Sequence, residues 1–391
     1  MQTRVSEMLG VEFPILAFSH CRDVVAAVTN AGGFGVLGAV AHTPQQLDID
    51  MNWIEEQTKG KPYGVDLLLP AKYADIGGDT TKGSRDGGAP SIDRDTLAQL
   101  LPPQQQEFVD DILERYGVPK LDESADVIGA IGRRGGMLNV APEGYEPLLD
   151  VAFAHKIRLI ASALGAPPPS LIERAKKEDV VVAALAGTRA HAERHNTAGV
   201  DLIVAQGTEA GGHTGEISTM VLVPDVVEAV APTPVLAAGG IASGRQIAAA
   251  MALGAQGVWC GSVWLTTEEA ETQPAVKQKF LAATTKDTVR SRSLTGKPAR
   301  MLRSAWTDEW EKEGAPPPLA MPLQTILVAE AQARISRSAT KEGSGAQQLA
   351  NYFVGQVVGQ MNQVRPTRQV VLDMVTEYAE VAEQFAKQVQ G

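Results

Sequence analysis

Val200–Glu216, VDLIVAQGTEAGGHTGE, is the stretch on which the fold turns. An apolar run ends at Gln206 and passes at once into a loop with Gly207, Gly211, Gly212, Gly215 and one histidine, His213. A strand that stops at a Gly-rich loop reads as a strand-to-helix turn of a parallel sheet, and the chemistry of such folds gathers at the strand ends. Glycines let a backbone approach a flat ligand and free its N–H groups to donate. His213 is the side chain of this loop suited to proton transfer near neutrality. A lone histidine on a turn is usually a surface residue; a strand-end histidine among four glycines favours function.

The next segment repeats the pattern twice. In Thr233–Leu265, TPVLAAGGIASGRQIAAAMALGAQGVWCGSVWL, one strand ends at Gly239-Gly240, a Ser243-Gly244 turn opens a helix, and a second strand ends at Cys260-Gly261-Ser262. Two adjacent Gly-rich strand ends, each leading to a helix N-terminus, predict a phosphate cradle of backbone N–H groups. Cys260 has no partner at metal-ligand spacing and reads as a packing residue.

Working outward, eight short apolar runs alternate with helical segments, which predicts an α/β chain folded as a (β/α)8 TIM barrel. The runs are Phe13–Ala17, Gly35–Gly38, Tyr63–Leu67, Arg158–Ala163, Val181–Leu185, Leu202–Ala205, Pro234–Ala238 and Gly257–Gly261. Predicted helices are Asp23–Ala31, Thr43–Lys59, Ser170–Lys177, Arg189–Ala198, Pro224–Val230 and Ser243–Leu253. The barrel is expected over residues 1–265, with a long insertion at 70–142 after the third strand. That insertion opens on a Gly-rich loop, GGDTTKGSRDGGAPS, continues in a polar helix (Leu97–Tyr116), and is expected to serve as a lid or an oligomer contact. Residues 266–391 are expected to form a helical C-terminal extension, with amphipathic patterns at Leu323–Ile335 and Gln369–Val389 that wrap the barrel or pair subunits in a homo-oligomer.

Composition narrows the partners. Thirty-five Lys+Arg against 46 Asp+Glu give a formal net charge of -11, which repels nucleic acid and anionic membrane surfaces and leaves a small molecule as the expected ligand. Only Cys21 and Cys260 occur and the first residues lack a secretory pattern, so a reducing cytoplasm is expected. No apolar run nears the roughly eighteen residues of a membrane span. His42, His155, His191 and His195 read as structural or solvated, and no metal is expected.

The QGTEAGGHTG loop, the AAGGIA and GSVWL strand ends and an early NAGGFGVLGA turn (Asn30–Ala39) resemble the motifs of nitronate monooxygenases, formerly 2-nitropropane dioxygenases, and of the related FMN-dependent enoyl-acyl-carrier-protein reductases. The resemblance spans Met1–Pro70 and Ile157 to about Leu265. It implies an FMN-dependent oxidoreductase in which His213 is the catalytic base and Gln206, Gly211 and Gly212 lie at the flavin. It places Gly239, Gly240 and the backbone of Trp259, Cys260, Gly261 and Ser262 near the phosphate, and Asp66 at the flavin from the third strand. The implied reaction is oxidation of alkyl nitronates or nitroalkanes with dioxygen. The alternatives are an NAD(P)H-dependent reductase of enoyl or acyl thioesters and a flavin-binding protein without catalysis.

Three departures concern the substrate side. Asp66 stands where the family usually has Asn, exchanging an amide donor for a carboxyl. The first strand ends in Leu16-Ala17-Phe18-Ser19-His20, not in a Met- and Gly-rich turn, and the 70–142 segment intervenes before the fourth strand. Phe18 and His20 are therefore candidate substrate contacts, His20 reading either as a second acid–base or as a residue at a helix start beside Asp23. Arg133-Arg134 reads as a phosphate contact or a solvated loop. No GxGxxG fingerprint is present, so a reduced nicotinamide would bind transiently over the flavin.

Overall fold

The computed structural model describes residues 1–69, 99–121, 142–163 and 165–390. Eight parallel strands close a barrel: β1 (Ile15–Ser19), β2 (Phe34–Gly38), β3 (Gly64–Leu67), β4 (Leu159–Ser162), β5 (Val181–Ala186), β6 (Leu202–Gln206), β8 (Val235–Ala238) and β9 (Val258–Cys260). Each overlaps one of the eight predicted runs. The predicted Gly-rich loop and Arg133-Arg134 lie outside the described residues.

Side chains alternate across each strand, so the sheet carries two apolar faces. Leu16, Phe34, Val36, Leu159, Leu202 and Leu236 fill the barrel. Ile15, Val65, Ile160, Val182, Ile203 and Val235 meet the surrounding helices. Those helices include α2 (Arg22–Asn30), α3 (Pro44–Thr58), α5 (Pro142–Ala154), α6 (Pro169–Lys177), α7 (Arg189–Ala198), α8 (Thr219–Val230) and α9 (Gly244–Ala252), after a short α1 (Arg4–Leu9). Their ends follow local chemistry: the Thr43 hydroxyl accepts from the Gln46 N–H with Pro44 in the first turn of α3, and Thr188 caps α7 through the His191 N–H. Helix α8 starts five residues before the predicted Pro224, because the Glu209 carboxylate takes the Thr219 N–H at 3.0 Å and so caps the helix from a distant loop.

A second apolar core lies outside the barrel. Helix α4 (Pro103–Arg115), within the predicted Leu97–Tyr116, packs Val109, Ile112 and Leu113 against Trp306 and Trp310 of α11 (Ala305–Trp310) and against Leu327, Val328 and Ile335 of α12 (Leu323–Ser338). Short α13 (Ala346–Leu349) adds Ala346 and Leu349, and α10 (Pro274–Ala282) adds Val276 and Phe280. The last helix, α14 (Thr367–Gln390), returns to the barrel wall, where Val370, Val371 and Met374 join the outer barrel core. The extension is helical as expected. It also holds β10 (Thr288–Ser291) and β11 (Ala299–Leu302), which build an antiparallel sheet with a two-residue strand of the Gly-rich loop after β6, β7 (Gly212–His213).

One ion cluster ties the insertion helix to the extension. Glu309, almost fully buried, accepts two bonds from Arg115 at 3.0 and 2.9 Å, one from the Tyr116 hydroxyl at 3.1 Å and one from Lys312 at 2.6 Å. Hydrogen bonding by Arg115 is the main cause that holds its carboxyl at about 2. The folded pKa lies below the ordinary value near 4.5, so this stabilisation is full above that value and fades as the pH falls towards 2. Glu309→Gln should cost roughly 2–3 kcal/mol, since the neutral carboxamide loses the charge-assisted bonds and has to turn an NH2 donor towards the donors Arg115, Tyr116 and Lys312. Urea unfolding followed by circular dichroism checks this; an unchanged midpoint would show that the cluster is idle.

Candidate active site

The candidate site lies at the end of the barrel where the strands stop, the end that carries the active site in barrel enzymes. His213 is carried on β7 and held there by β11, with Ala299 opposite it in the ladder. Its Nδ1 lies 3.3 Å from the Pro298 carbonyl oxygen. A carbonyl only accepts, so Nδ1 carries the proton and Nε2 keeps its lone pair. The ring has an exposed edge yet is crowded by surrounding protein, and that desolvation pulls its pKa below the ordinary 6.5 against the opposing bond to Pro298. Phe353 flanks the ring, with centroids 6.3 Å apart.

The loop beneath His213 is fastened from several sides. Buried Arg300 donates from Nε to the Thr208 carbonyl at 2.8 Å, and Arg290 reaches the Thr214 carbonyl at 3.4 Å. The Glu209 carbonyl accepts from the Gln356 N–H at 2.9 Å. Gly211 lies so close to the Val354–Gly355 backbone that an added Cβ would sit 2.8 Å from the Val354 carbonyl carbon. That contact gives this glycine a packing reason beside the implied cofactor role.

At the cradle, Gly239 and Gly240 take φ of 94° and 73°, the left-handed region that glycine tolerates. Among the described residues, no protein acceptor meets the amide N–H groups of Gly239, Gly240, Gly261 or Ser262. These uncommitted donors, just past the ends of β8 and β9, fit a phosphate. The predicted contribution from the N-terminus of α9 is different: the Gly244 and Arg245 N–H groups donate to Glu377 of α14 at 2.7 and 3.3 Å, so a carboxylate of the chain itself answers that helix end. The Ser262 hydroxyl accepts from the Gly355 N–H at 2.8 Å. Cys260 is buried, which pushes its thiol up to about 12 and agrees with packing, while its carbonyl accepts from the Trp264 indole at 2.7 Å.

The other predicted residues surround the mouth. Gln206 ends β6 opposite Ala238. Phe18 stacks on Trp259 at 6.2 Å and meets His20 edge-on at 5.1 Å. His20 Nδ1 donates to the Gly38 carbonyl at 2.7 Å, so its imidazole stands at that end of the barrel with its orientation set. Asp66 is buried on β3. Three other histidines have structural partners: His195 donates to the Leu185 carbonyl at 3.0 Å, His42 pairs with Asp50 at 3.0 Å, and His155 with Asp48 at 3.0 Å. Sequence reasoning missed Arg290, Arg300, Phe353 and the 354–356 loop, all from the extension, where no motif marks them.

The chain is a closed (β/α)8 barrel with open backbone amides past the ends of β8 and β9 and a Gly-rich loop after β6 that carries His213. The chain belongs to the nitronate monooxygenase family, whose model matches residues 2–82 and 122–377. It is a nitronate monooxygenase-like oxidoreductase, and the family is flavin-dependent. It is 64% identical to a Mycobacterium tuberculosis protein named "Putative monooxygenase Rv1533" over 390 residues, all of both chains. A Staphylococcus saprophyticus "Probable nitronate monooxygenase" is 28% identical over 85% of this chain and 88% of its own. Among solved structures, FabK from Thermotoga maritima superposes with a TM-score of 0.70 at 26% identity, covering 99% of each chain. A nitroalkane oxidase from Streptomyces ansochromogenes superposes at 0.75 and 24% identity, covering 97% of this chain and 99% of that one, a likeness of fold.

Gly240→Asp tests the cradle. An Asp at this positive φ is strained, and its carboxylate would stand beside the Glu209 side chain and among the open backbone amides. The purified variant should lose its flavin absorbance while keeping its circular dichroism; a fully yellow variant would displace the cradle.

Proposed function

We propose that the chain oxidises alkyl nitronates with dioxygen, and also nitroalkanes after His213 has removed the proton next to the nitro group, with FMN as cofactor. The observation that carries this reading is the Pro298 carbonyl at His213 Nδ1, which leaves Nε2 as an acceptor on the catalytic face. The amides of Gly239, Gly240, Gly261 and Ser262 would hold the phosphate. Bound there, FMN supplies the electron transfer between the carbanion and dioxygen. The protein's part is to orient the substrate, receive its proton at Nε2 and keep the histidine neutral beforehand. Negative charge spreading onto the nitro group as Nε2 becomes protonated suits a base in a partly desolvated site.

The expected partner is a small molecule, which the acidic exterior of net charge -11 does not oppose when the local donors are backbone amides. Two buried free thiols, Cys21 and Cys260, support a reducing compartment such as the cytoplasm. No helix of the described residues is long and apolar enough to cross a membrane. The resemblance of the QGTEAGGHTG loop and the AAGGIA and GSVWL strand ends to FMN-dependent enoyl-acyl-carrier-protein reductases supports a second reading, an NAD(P)H-dependent reductase of enoyl or acyl thioesters. Anaerobic bleaching of the flavin by a nitronate favours the first; bleaching by NADH or NADPH favours the second.

His213→Asn separates a base from a residue that shapes the pocket, since Asn keeps hydrogen-bonding capacity but accepts no proton near neutrality. Turnover of a neutral nitroalkane should fall by roughly 10²–10⁴-fold, and turnover of the preformed nitronate much less. In the unmodified enzyme, nitroalkane turnover should hold above the ordinary histidine value of 6.5 and decline as the pH falls through the lower pKa of His213, where the base becomes protonated. Equal losses on both substrates would refute proton transfer.

A further inference from the structure

Asp66 is the described titratable side chain that the arrangement above leaves without work. On β3, Val65 and Leu67 face the outer core, so alternation turns Asp66 into the barrel. It is 4% exposed. Its neighbours in register are Gly38 on β2 and Ala161 on β4, neither of which has a polar side chain. Among the described residues no hydrogen bond or ion pair reaches its carboxyl, and burial alone acts on it, raising its pKa well above the usual carboxylate value. An unpaired carboxylate in such a place is costly, whereas a protonated carboxyl needs only one acceptor.

The topology says where that acceptor would come from. The barrel order is β1-β2-β3-β4-β5-β6-β8-β9, so β3 stands four places from β8, directly across the mouth from the Gly239-Gly240 cradle. A mononucleotide with its phosphate at Gly239 and Gly240 would have its ring system within the mouth that β3 borders. We propose that Asp66 meets the flavin ring as a neutral carboxylic acid that donates its proton in a hydrogen bond to an acceptor on the ring. This rests on the FMN reading. It also turns the exchange of Asn for Asp into the retention of a donor, one that can be lost with rising pH.

The charged groups around Asp66 do not supply another partner. Strands β2 and β4 bring no ionisable side chain to it. His20 is engaged with the carbonyl of Gly38, the register neighbour, and Ser162 donates to the Gly165 carbonyl at 3.3 Å. The carboxylates of α3 that pair with His42 and His155, Asp50 and Asp48, belong to the helix outside the sheet.

The test compares wild type and Asp66→Asn, each stripped of flavin and titrated with FMN from acid to alkaline pH, with infrared difference spectra of the FMN complexes. The expected wild-type spectrum has a carbonyl band of a protonated carboxyl that is absent from D66N. Wild-type affinity should fall by up to about tenfold per pH unit once the pH exceeds the carboxyl's pKa, a fall missing in D66N, while the two proteins agree within about threefold at neutral pH. Binding of FMN with no such band and no difference in pH dependence would mean an ionised Asp66, and would overturn this inference alone. Failure of both folded proteins to bind FMN would overturn the flavin reading and this inference with it.

Discussion

The pairing of β7 with β11 is the contact on which the candidate chemistry depends. Two residues of a barrel loop, Gly212 and His213, are taken up as an edge strand by the C-terminal extension. Without that ladder the loop would be a Gly-rich span of several residues, and a histidine on it would sample many positions. With it, the Pro298 carbonyl, one residue before the β11 partner of His213, comes to Nδ1 and selects the tautomer. Backbone pairing thereby sets both the place of the histidine and the nitrogen that keeps its lone pair.

Other contacts stiffen the same loop in ways that bind the modules into one device. Arg300 belongs to the extension but spends its guanidinium on the Thr208 carbonyl, while Glu209 caps α8 of the barrel. The Gly355 N–H reaches the Ser262 hydroxyl, so the extension also touches the end of β9 where the cradle lies. Glu309 fixes α4 of the insertion to α11 of the extension. The barrel carries the site, and the later third of the chain holds its loops in register.

Much of this was legible in the sequence because the barrel obeys local rules. A strand buried on both faces shows as a short apolar run, and a Gly-rich stop marks the end at which ligands gather. Runs such as VVAALA and LIVAQ left little choice of element. The sheet of the extension was not legible: TVRS and ARML are short, partly charged and without clear alternation, and they become strands only because each finds a partner. The start of α8 was hidden for a related reason. Pro224 looks like a helix opener, and the true cap is Glu209, ten residues from Thr219 and visible only in three dimensions. Around the candidate cradle, the glycine pairs of the sequence mark where backbone amides stand open past β8 and β9, but nothing in it shows that Glu377 takes the N-terminus of α9.

The electrostatics of the mouth follow from one cause acting with opposite signs. Loss of solvent disfavours whichever form carries charge, so crowding by the protein around the partly exposed His213 lowers its pKa and burial of Asp66 raises that of its carboxyl, driving the imidazole and the carboxyl alike towards neutrality. The nearby guanidinium of Arg300 is committed to a carbonyl and a hydroxyl, and the cradle donates through neutral amides. A protein of net charge -11 has thus built an active-site face whose recognition elements carry little fixed charge. Such a face can accept an anionic group without the desolvation cost of a buried ion pair, because backbone dipoles are already oriented before the ligand arrives. The same economy serves a proton acceptor: a neutral histidine beside neutral donors gains its charge only as the substrate gains the opposite one.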